Sequence, residues 1–332
     1  MTDSGSNHSQ HRHHKHHRHG RRKRMIRNVI LVIIGILVLT GAAFAAVAFK
    51  NMHSATSNMY EKSGATKTRS AASALNSKKP ISILLMGTDT GALGRNYKGR
   101  TDTMIVLTIN PETKKTTMTS LPRDMEVNLP DYPEYSPAKI NAAYAYGSSK
   151  EAINTVQKYL KIPIDYYVLV NMGGLEKAID QVGGVTVTSP LTFTYDGHSF
   201  TSGQSQKMDG ETALAFSRMR HEDPQGDYGR QTRQRLIITA LLKQSASYKT
   251  VLNRTFLNSI SSEMKTDLTF SNMTKLALNY RNAASTVKSD HIQGTSESIG
   301  GQSFEVVSKT ELQRVSNIIR DNLGLKRANF GE

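Results

Sequence analysis

The stretch Ile81-Ser-Ile-Leu-Leu-Met-Gly-Thr-Asp89 opens the predicted sheet, because its apolar run is short and closes at a glycine. Runs of this length and composition are typical of buried strands. The next apolar runs, residues 104–110 and 116–121, predict two more strands. Asp89 follows the first of these strands and Asp102 precedes the second. The folded part of the chain is therefore expected to begin with a small sheet that carries carboxylates at its strand ends.

Helical and strand patterns alternate further along the chain. The predicted order is helix 152–160, strand 166–170, helix 175–182, strand 185–188, a hairpin or loop over 195–210, and helices 235–242 and 312–323. This alternation predicts an α/β fold with a central mixed β-sheet flanked by helices on both faces. No internal repeat and no second domain is indicated toward the C-terminus.

The N-terminal part of the chain predicts a membrane anchor. An uncharged run over residues 29–49 follows a tail rich in His, Arg and Lys. At 1.5 Å per residue, such a run crosses the roughly 30 Å hydrocarbon core of a bilayer. It is longer than the apolar region of a typical cleaved signal peptide, although its Ala-rich end leaves cleavage open. Because positive charge precedes the run, the tail is predicted to be cytoplasmic and the rest extracellular.

These features divide the chain into four predicted parts. They are a cytoplasmic tail over 1–27, a single transmembrane anchor over 28–49, an extracellular stalk over 50–79 and an extracellular folded domain over 80–325. The protein is therefore expected in the cell membrane. The His-rich tail fits either loose metal binding or a basic arm on anionic lipid head groups.

Cysteine content and charge narrow the chemistry. The chain has no Cys, which excludes disulfides, thiol catalysis, zinc–cysteine sites and iron–sulfur clusters. A formal net charge of +16 suits anionic phosphate polymers or lipids. Nucleic acid is not expected as a partner, because the predicted cytoplasmic tail is too short to fold into a DNA-binding module.

Within the predicted folded domain, five arginines fall within nineteen residues, namely Arg218, Arg220, Arg230, Arg233 and Arg235. Arg218 and Arg220 would point the same way in extended backbone. Arg230, Arg233 and Gln234 are spaced to share one face of a helix. Such an array of guanidinium groups binds phosphate or pyrophosphate bidentately. The alternative is a solvated basic helix with internal Arg–Asp pairs.

Polar residues at the strand ends complete a candidate site. Asp89 follows the first strand, Asp102 precedes the second with Arg100 nearby, and Arg123 follows the third. Open α/β sheets bind ligands at strand ends. One or two carboxylates together with substrate phosphates are the usual surroundings of Mg²⁺ in proteins. The pattern indicates a magnesium site at Asp89 and Asp102, with helix capping or turn formation as the alternative role of each.

Together these motifs resemble the LytR-CpsA-Psr family. The resembling motifs occur in the same order over residues 81–242: Leu85-Met-Gly-Thr-Asp89, Gly99-Arg-Thr-Asp-Thr-Met104, Ser120-Leu-Pro-Arg-Asp124, Lys139-Ile-Asn141 with Tyr144 and Gly147, Ile162-Pro-Ile-Asp-Tyr-Tyr167, Gly183-Gly-Val185 and the arginine block. Ala142 and Phe216 depart from the His and Tyr that are frequent in the family. Neither position carries phosphate chemistry.

The resemblance implies a membrane-anchored phosphotransferase that moves a glycopolymer, such as wall teichoic acid or capsular polysaccharide, from a polyprenyl-pyrophosphate carrier to peptidoglycan. It implies Mg²⁺ on Asp89 and Asp102. The implied pyrophosphate-binding residues are Arg100, Arg123, Arg218, Arg220, Arg230 and Gln234. Asp227, Arg218 and Arg220 would be catalytic, with Asp227 as the base that takes a proton from a peptidoglycan hydroxyl. Orienting Arg230 or capping the following helix is the alternative role of Asp227.

Two other functional classes stay open from sequence. A protein that only captures or hydrolyses lipid-linked pyrophosphates would use the same arginines. A membrane-bound transcriptional regulator, which the older family name implies, would need those arginines in the cytoplasm. His221 is interpreted as a neighbour of the site rather than a catalyst. The walls of a groove for the lipid tail are not predicted.

Overall fold

The computed structural model describes residues 57–89, 99–244 and 254–331. The predicted cytoplasmic tail and transmembrane anchor lie outside these residues. Within the described ranges, no helix combines the length and apolar character needed to cross a bilayer.

The described chain folds into fourteen strands and eight α-helices. In chain order they are α1 (Ala71–Asn76), β1 (Ile81–Thr88), β2 (Thr101–Asn110), β3 (Lys115–Ser120), β4 (Glu126–Val127), β5 (Ala138–Lys139), α2 (Ala142–Leu160), β6 (Tyr166–Asn171), α3 (Met172–Gln181), β7 (Val185–Thr188), β8 (Phe193–Tyr195), β9 (His198–Phe200), β10 (Ser205–Met208), α4 (Gly210–Arg218), α5 (Asp227–Gln244), α6 (Arg254–Ile260), β11 (Met264–Thr266), α7 (Phe270–Asn279), β12 (Thr286–His291), β13 (Thr295–Ile299), β14 (Gln302–Val306) and α8 (Lys309–Asn322). Two short 3₁₀ helices cover Pro133–Tyr135 and Arg281–Ser285.

Six strands form the central sheet in the order β11–β6–β1–β2–β3–β12. The β1–β6 and β3–β12 pairs are parallel, and the other three pairs are antiparallel. The sheet is therefore mixed, as predicted. Small two-stranded sheets pair β7 with β10, β8 with β9, β4 with β5 and β13 with β14.

Alternating side chains of β1 enter two different cores, because successive residues of a strand point to opposite faces. Ile83 lies in a cluster with Leu75 of α1, and residues of α7 pack against that cluster. Leu84 lies in the other cluster with Val156 of α2 and Ile319 of α8. Helices thus cover both faces of the sheet, as predicted.

The described part of the predicted stalk, residues 57–79, packs on the domain and corrects the predicted boundary. Met59 and Leu75 are buried. Arg69 Nε donates to the buried Asp165 Oδ1 at 2.8 Å. The folded unit therefore begins earlier than residue 80, because these side chains complete its interior.

Candidate functional site

Asp89 and Asp102 meet at one edge of the central sheet. Strands β1 and β2 are antiparallel, and Thr88 pairs with Thr101. Asp89 therefore leaves β1 where Asp102 enters β2. Both residues line the same two cavities, which adjoin at this point. The structure brings these two sequence-predicted residues together.

One of the two cavities, the polar cavity, has a volume of about 350 Å³. Its lining residues are Asp89, Arg100, Asp102, Arg123, Asp124, Lys139 and Asn141. The side chains are acidic, basic or amide throughout, so this space suits an ionic ligand that carries both phosphate and metal.

The second space, the apolar cavity, has a volume of about 460 Å³. Its apolar walls include Leu85, Val168, Val170, Met172, Leu175, Ala178, Leu214, Ile237, Ile238, Leu241, Leu242 and Met264. Polar residues also line it, namely Asp89, Asp102, Arg218, Arg230 and Gln234. A chain with an apolar tail and an anionic head matches this combination.

Helix α5 carries the only signal of the apolar cavity that the sequence offered. Arg230, Gln234, Ile237, Ile238 and Leu241 follow helical spacing, and all five line the cavity. The face of the helix is polar near its N-terminus and apolar further along. Such a face can contact both the anionic head and the apolar tail of an amphiphilic ligand. The other walls come from strands and helices distant in sequence, so sequence spacing did not reveal them.

Arg123 lies among three carboxylates. Its Nη1 is 3.4 Å from Asp102 Oδ2, and its Nε is 3.4 Å from Asp124 Oδ2 and 3.7 Å from Asp227 Oδ1. Among the described residues, however, the buried Nε has no hydrogen-bond partner. The guanidinium thus joins the polar cavity to the start of α5 while keeping a donor unsatisfied.

Arg230 and Asp227 are in contact within the first turn of α5. The contact between Arg230 Nη2 and Asp227 Oδ1 lacks hydrogen-bond geometry, and the buried Arg230 Nε also has no partner in the described part of the chain. Burial lowers the pKa of the Arg230 guanidinium, and the nearby Arg123 and Arg220 lower it further. An anion bound here would satisfy the buried donors and offset the repulsion between the cations.

Arg218 and Arg220 converge on the site by a route that differs from the prediction. Arg218 is the last residue of α4, not part of an extended pair, and Met219 leaves the helix with φ −53° and ψ 137°. Arg218 lines the apolar cavity, with Nη1 3.9 Å from Asp196 Oδ2. Arg220 lies near enough to Arg230 to affect its pKa.

Arg233 does not belong to the site, which corrects the predicted shared face with Arg230 and Gln234. It is fully buried, pairs with Asp223, and donates from Nε to Phe216 O at 3.0 Å. Consecutive helix residues lie about 100° apart around the axis, so Gln234 can face the cavity while Arg233 faces α4. Arg233 holds the end of α4 against α5.

Arg235 is also structural. Its Nη1 donates to Ser120 Oγ at 2.7 Å, and its Nη2 donates to Thr232 Oγ1 at 3.0 Å. Burial lowers the pKa of Arg235 to about 10. The five arginines therefore form two groups. Arg218, Arg220 and Arg230 belong to the site, whereas Arg233 and Arg235 are buried and hold neighbouring elements together. The number of arginines in the segment did not reveal this division.

Asn141 is a site residue to which sequence analysis gave no role, although it noted the Lys139-Ile-Asn141 motif. Its Nδ2 donates to Asp102 Oδ1 at 3.0 Å. Its backbone N–H donates to Arg123 O and its carbonyl accepts from Thr101 N–H, each at 3.2 Å. Asn141 therefore fixes the relative positions of the segments that carry Asp102 and Arg123.

The residues present fit Mg²⁺ that shares its coordination with a substrate. Within the described ranges, no group of three or more His, Asp or Glu residues is placed to hold a metal ion by itself. Asp89 and Asp102 nevertheless present two carboxylates to one polar space. Mg²⁺ in proteins is commonly held by one or two carboxylates together with substrate phosphates and water.

Known proteins are similar to about three quarters of this chain or more. The LytR_cpsA_psr family model matches residues 46–321. An Enterococcus faecalis protein named polyisoprenyl-teichoic acid–peptidoglycan teichoic acid transferase TagU is 47% identical over 253 residues, which cover 76% of this chain and 82% of the relative. The crystal structure of Bacillus subtilis TagU is 33% identical with a TM-score of 0.59, covering 76% of this chain and 100% of that one. A structure of TagT bound to LIIa-WTA is 26% identical with a TM-score of 0.63, covering 75% and 92%.

Proposed function

This chain belongs to the LytR-CpsA-Psr family, and from that membership we propose that it is a membrane-anchored glycopolymer phosphotransferase. It moves a polymer of the wall teichoic acid or capsular polysaccharide type from a polyprenyl-pyrophosphate carrier to peptidoglycan. The observation that carries the proposal is the junction of the apolar and polar cavities at Asp89 and Asp102. A lipid-linked pyrophosphate needs an apolar and an ionic compartment that meet.

The proposed pose of the donor follows from the two cavities. The polyprenyl tail enters the apolar cavity between β1, β6 and α5, while the pyrophosphate lies at its junction with the polar cavity. Arg218, Arg230 and Gln234 approach the phosphates from the apolar cavity, and Arg100 and Arg123 approach from the polar cavity. Unsatisfied donors on Arg123 and Arg230 support this pose, because phosphate oxygens would accept from them.

The proposed reaction breaks one phosphorus–oxygen bond and forms another. A peptidoglycan hydroxyl oxygen attacks the phosphorus that is bonded to the glycopolymer. The bond from that phosphorus to the bridging oxygen breaks, and polyprenyl monophosphate leaves. The hydroxyl proton passes to a base, and the glycopolymer is now linked to peptidoglycan through one phosphodiester. Phosphoryl transfer of this kind depends on positioning and charge neutralisation, which the arginines provide.

Asp227 is proposed as the base. Its Oδ2 accepts from Gln231 Nε2 at 3.0 Å, while its Oδ1 faces Arg230 and Arg123. The same contacts fit the alternative role of orienting Arg230. When bound to Asp89 and Asp102, Mg²⁺ would neutralise charge on the phosphates.

The proposed location follows from the substrates. Peptidoglycan lies outside the cell membrane, and the predicted anchor over residues 28–49 would keep the folded domain beside a lipid-linked donor. A cytoplasmic domain would never meet this acceptor.

The test is transfer by the full-length protein in lipid vesicles. A labelled polyprenyl-pyrophosphate glycan is mixed with peptidoglycan oligomers, with and without Mg²⁺, and products are separated by size. The double variant Arg218→Ala, Arg220→Ala should abolish transfer. The matched control is the double variant Arg314→Ala, Arg327→Ala, which removes two exposed arginines. Tight donor binding without polymer on peptidoglycan would instead indicate a carrier or a pyrophosphatase.

A further inference from the structure

Three tyrosines form an aromatic surface, here named the tyrosine platform: the exposed Tyr135 and Tyr146 and the half-buried Tyr132. The rings of Tyr135 and Tyr146 are stacked with centroids 4.3 Å apart and planes 16° apart. The Tyr132 ring centroid is 6.3 Å from that of Tyr146. Tyr135 is 50% exposed and Tyr146 is 39% exposed. The pair thus offers ring surface to solvent and is already ordered by stacking.

A kink in α2 shapes the platform. Gly147 and Ser148 have non-helical backbone angles inside the helix, and Ser148 has a φ of 59°. A Cβ at Gly147 would lie 2.7 Å from Tyr132 Cε2 and 2.3 Å from Glu151 Cβ. The glycine is therefore needed for Tyr132 to approach the helix. Left-handed backbone at a serine is strained, and such strain concentrates at functional sites.

The loop that carries Tyr132 and Tyr135 is anchored to α2. Asp131 N–H donates to Oε1 of the fully buried Glu151 at 3.3 Å. Lys150 Nζ lies 2.8 Å from Asp131 Oδ2. These contacts fix the loop before any ligand arrives, and preorganisation lowers the cost of binding.

Short stretches of chain connect the platform to the wall of the polar cavity. The segment that carries Tyr132 and Tyr135 begins after Asp124 and ends before Lys139, and both of these residues line that cavity. Asn141, also in the cavity wall, precedes Tyr146 by five residues, or roughly 7 Å of helix rise. The N-terminal end of α2 therefore links the wall of the polar cavity to the platform.

The geometry of phosphoryl transfer assigns that side to the acceptor. Attacking and leaving oxygens are roughly in line across the phosphorus. In the proposed pose the leaving lipid phosphate points into the apolar cavity, beyond Asp89 and Asp102. In that pose the attacking hydroxyl comes through the polar cavity, whose wall includes Lys139 and Asn141.

The chemistry of the platform suits an uncharged sugar face rather than a phosphate polymer. Tyrosine rings pack against the C–H face of a pyranose, and the nearby polar groups can bond its hydroxyls. Asp131 and Glu134 are exposed beside the rings and outnumber Lys150, which pairs with Asp131. One net negative charge among these three side chains favours an uncharged ligand over a polyanionic teichoic acid.

We propose that the tyrosine platform binds the glycan strand of the peptidoglycan acceptor and guides its hydroxyl into the polar cavity. This inference rests on the proposed function and names the acceptor subsite of the same reaction. Its partner is a chain of N-acylated pyranose units rather than the lipid-linked donor.

The first test measures binding without turnover. Full-length protein in nanodiscs is titrated with peptidoglycan glycan oligomers that lack teichoic acid. Tyr135→Ala with Tyr146→Ala should weaken binding about tenfold, the scale of one lost aromatic contact. Tyr135→Phe with Tyr146→Phe keeps the ring faces and should retain most of the affinity. Tyr60→Ala, at a tyrosine that is 44% exposed elsewhere, is the matched control and should bind as wild type.

Three results would overturn the proposal: no glycan binding by wild type, unchanged binding by the double alanine variant, or tighter binding of free teichoic acid polymer than of glycan at the platform. If the double variant unfolds, Tyr135→Ser on the exposed loop replaces it. Because binding needs no transfer, tyrosine-dependent glycan binding without any transfer would refute the proposed function alone. In the transfer assay, the double variant should raise the acceptor KM about tenfold with kcat nearly unchanged.

Discussion

Asp227 Oδ1 lies 3.7 Å from Arg123 Nε, so the first carboxylate of α5 meets a guanidinium that follows β3. About a hundred residues of chain separate the two, and the fold brings them together at the polar cavity. Arg230 contacts the same oxygen. Arg123 and Arg230, two of the arginines that would hold pyrophosphate, thus lie beside one carboxylate. This arrangement places Asp227 at the centre of the proposed chemistry.

If Asp227 is the base, Asp227→Ala should reduce kcat for transfer by about 100-fold or more, since general-base groups contribute on this scale. Asp227→Asn should be equally impaired, because the amide keeps the shape but cannot take a proton. Rates are measured at saturating donor and acceptor. Near wild-type transfer by Asp227→Asn would leave only the role of orienting Arg230.

Arg230→Lys should weaken donor binding by about tenfold, because an ammonium group cannot reproduce the fork of guanidinium donors. Binding is measured with a polyprenyl pyrophosphate analogue in nanodiscs. Arg327→Lys is the matched control on an exposed ion pair. Equal donor affinity in both variants would remove Arg230 from the pyrophosphate site.

Asn141→Ala should raise the Mg²⁺ concentration needed for half-maximal donor binding by about tenfold, as loss of a hydrogen bond to a metal-binding carboxylate commonly does. The physical reason is the bond from Asn141 Nδ2 to Asp102 Oδ1. Titration of Mg²⁺ against donor binding gives this value without turnover. An unchanged Mg²⁺ requirement would show that Asp102 does not depend on Asn141.

Arg233→Ala should lower the free energy of unfolding by about 3–5 kcal/mol, because it leaves Asp223 without its buried partner. Denaturant unfolding measures this change. Arg218→Ala removes a site arginine whose Nη1 lies 3.9 Å from Asp196 Oδ2, and it should alter stability little. Similar unfolding midpoints for the two variants would contradict the assignment of Arg233 as a structural arginine and Arg218 as a site arginine.

The strand-end residues were predictable because short apolar runs mark β1, β2 and β3, and antiparallel pairing then fixes which ends meet. Helix α5 was predicted too short, since its first two turns bear arginines and no apolar period. From sequence, Arg233 resembled a surface residue, because its contacts with Asp223 and with the end of α4 form only when α4 packs against α5. The spacing of charged residues alone cannot distinguish a buried structural arginine from a ligand-binding arginine.

Strands β11 and β12 were not predicted, for a different reason. β11 has three residues, and the sequence of β12, Thr-Val-Lys-Ser-Asp-His, has almost no apolar alternation. Both lie at the edges of the sheet, where the neighbouring strand supplies the pairing. The walls of the apolar cavity escaped prediction likewise, because several distant segments build them.

The fate of one phosphorus atom distinguishes transfer from capture and from hydrolysis. A donor is prepared with ³²P only in the phosphate bonded to the glycopolymer, and full-length protein is incubated with it, Mg²⁺ and peptidoglycan oligomers. The proposed reaction predicts that the label becomes covalently attached to peptidoglycan, that polyprenyl monophosphate is released unlabelled, and that Arg230→Ala suppresses both. Label that stays on the lipid or appears only on free glycopolymer would contradict transfer and indicate capture or hydrolysis instead.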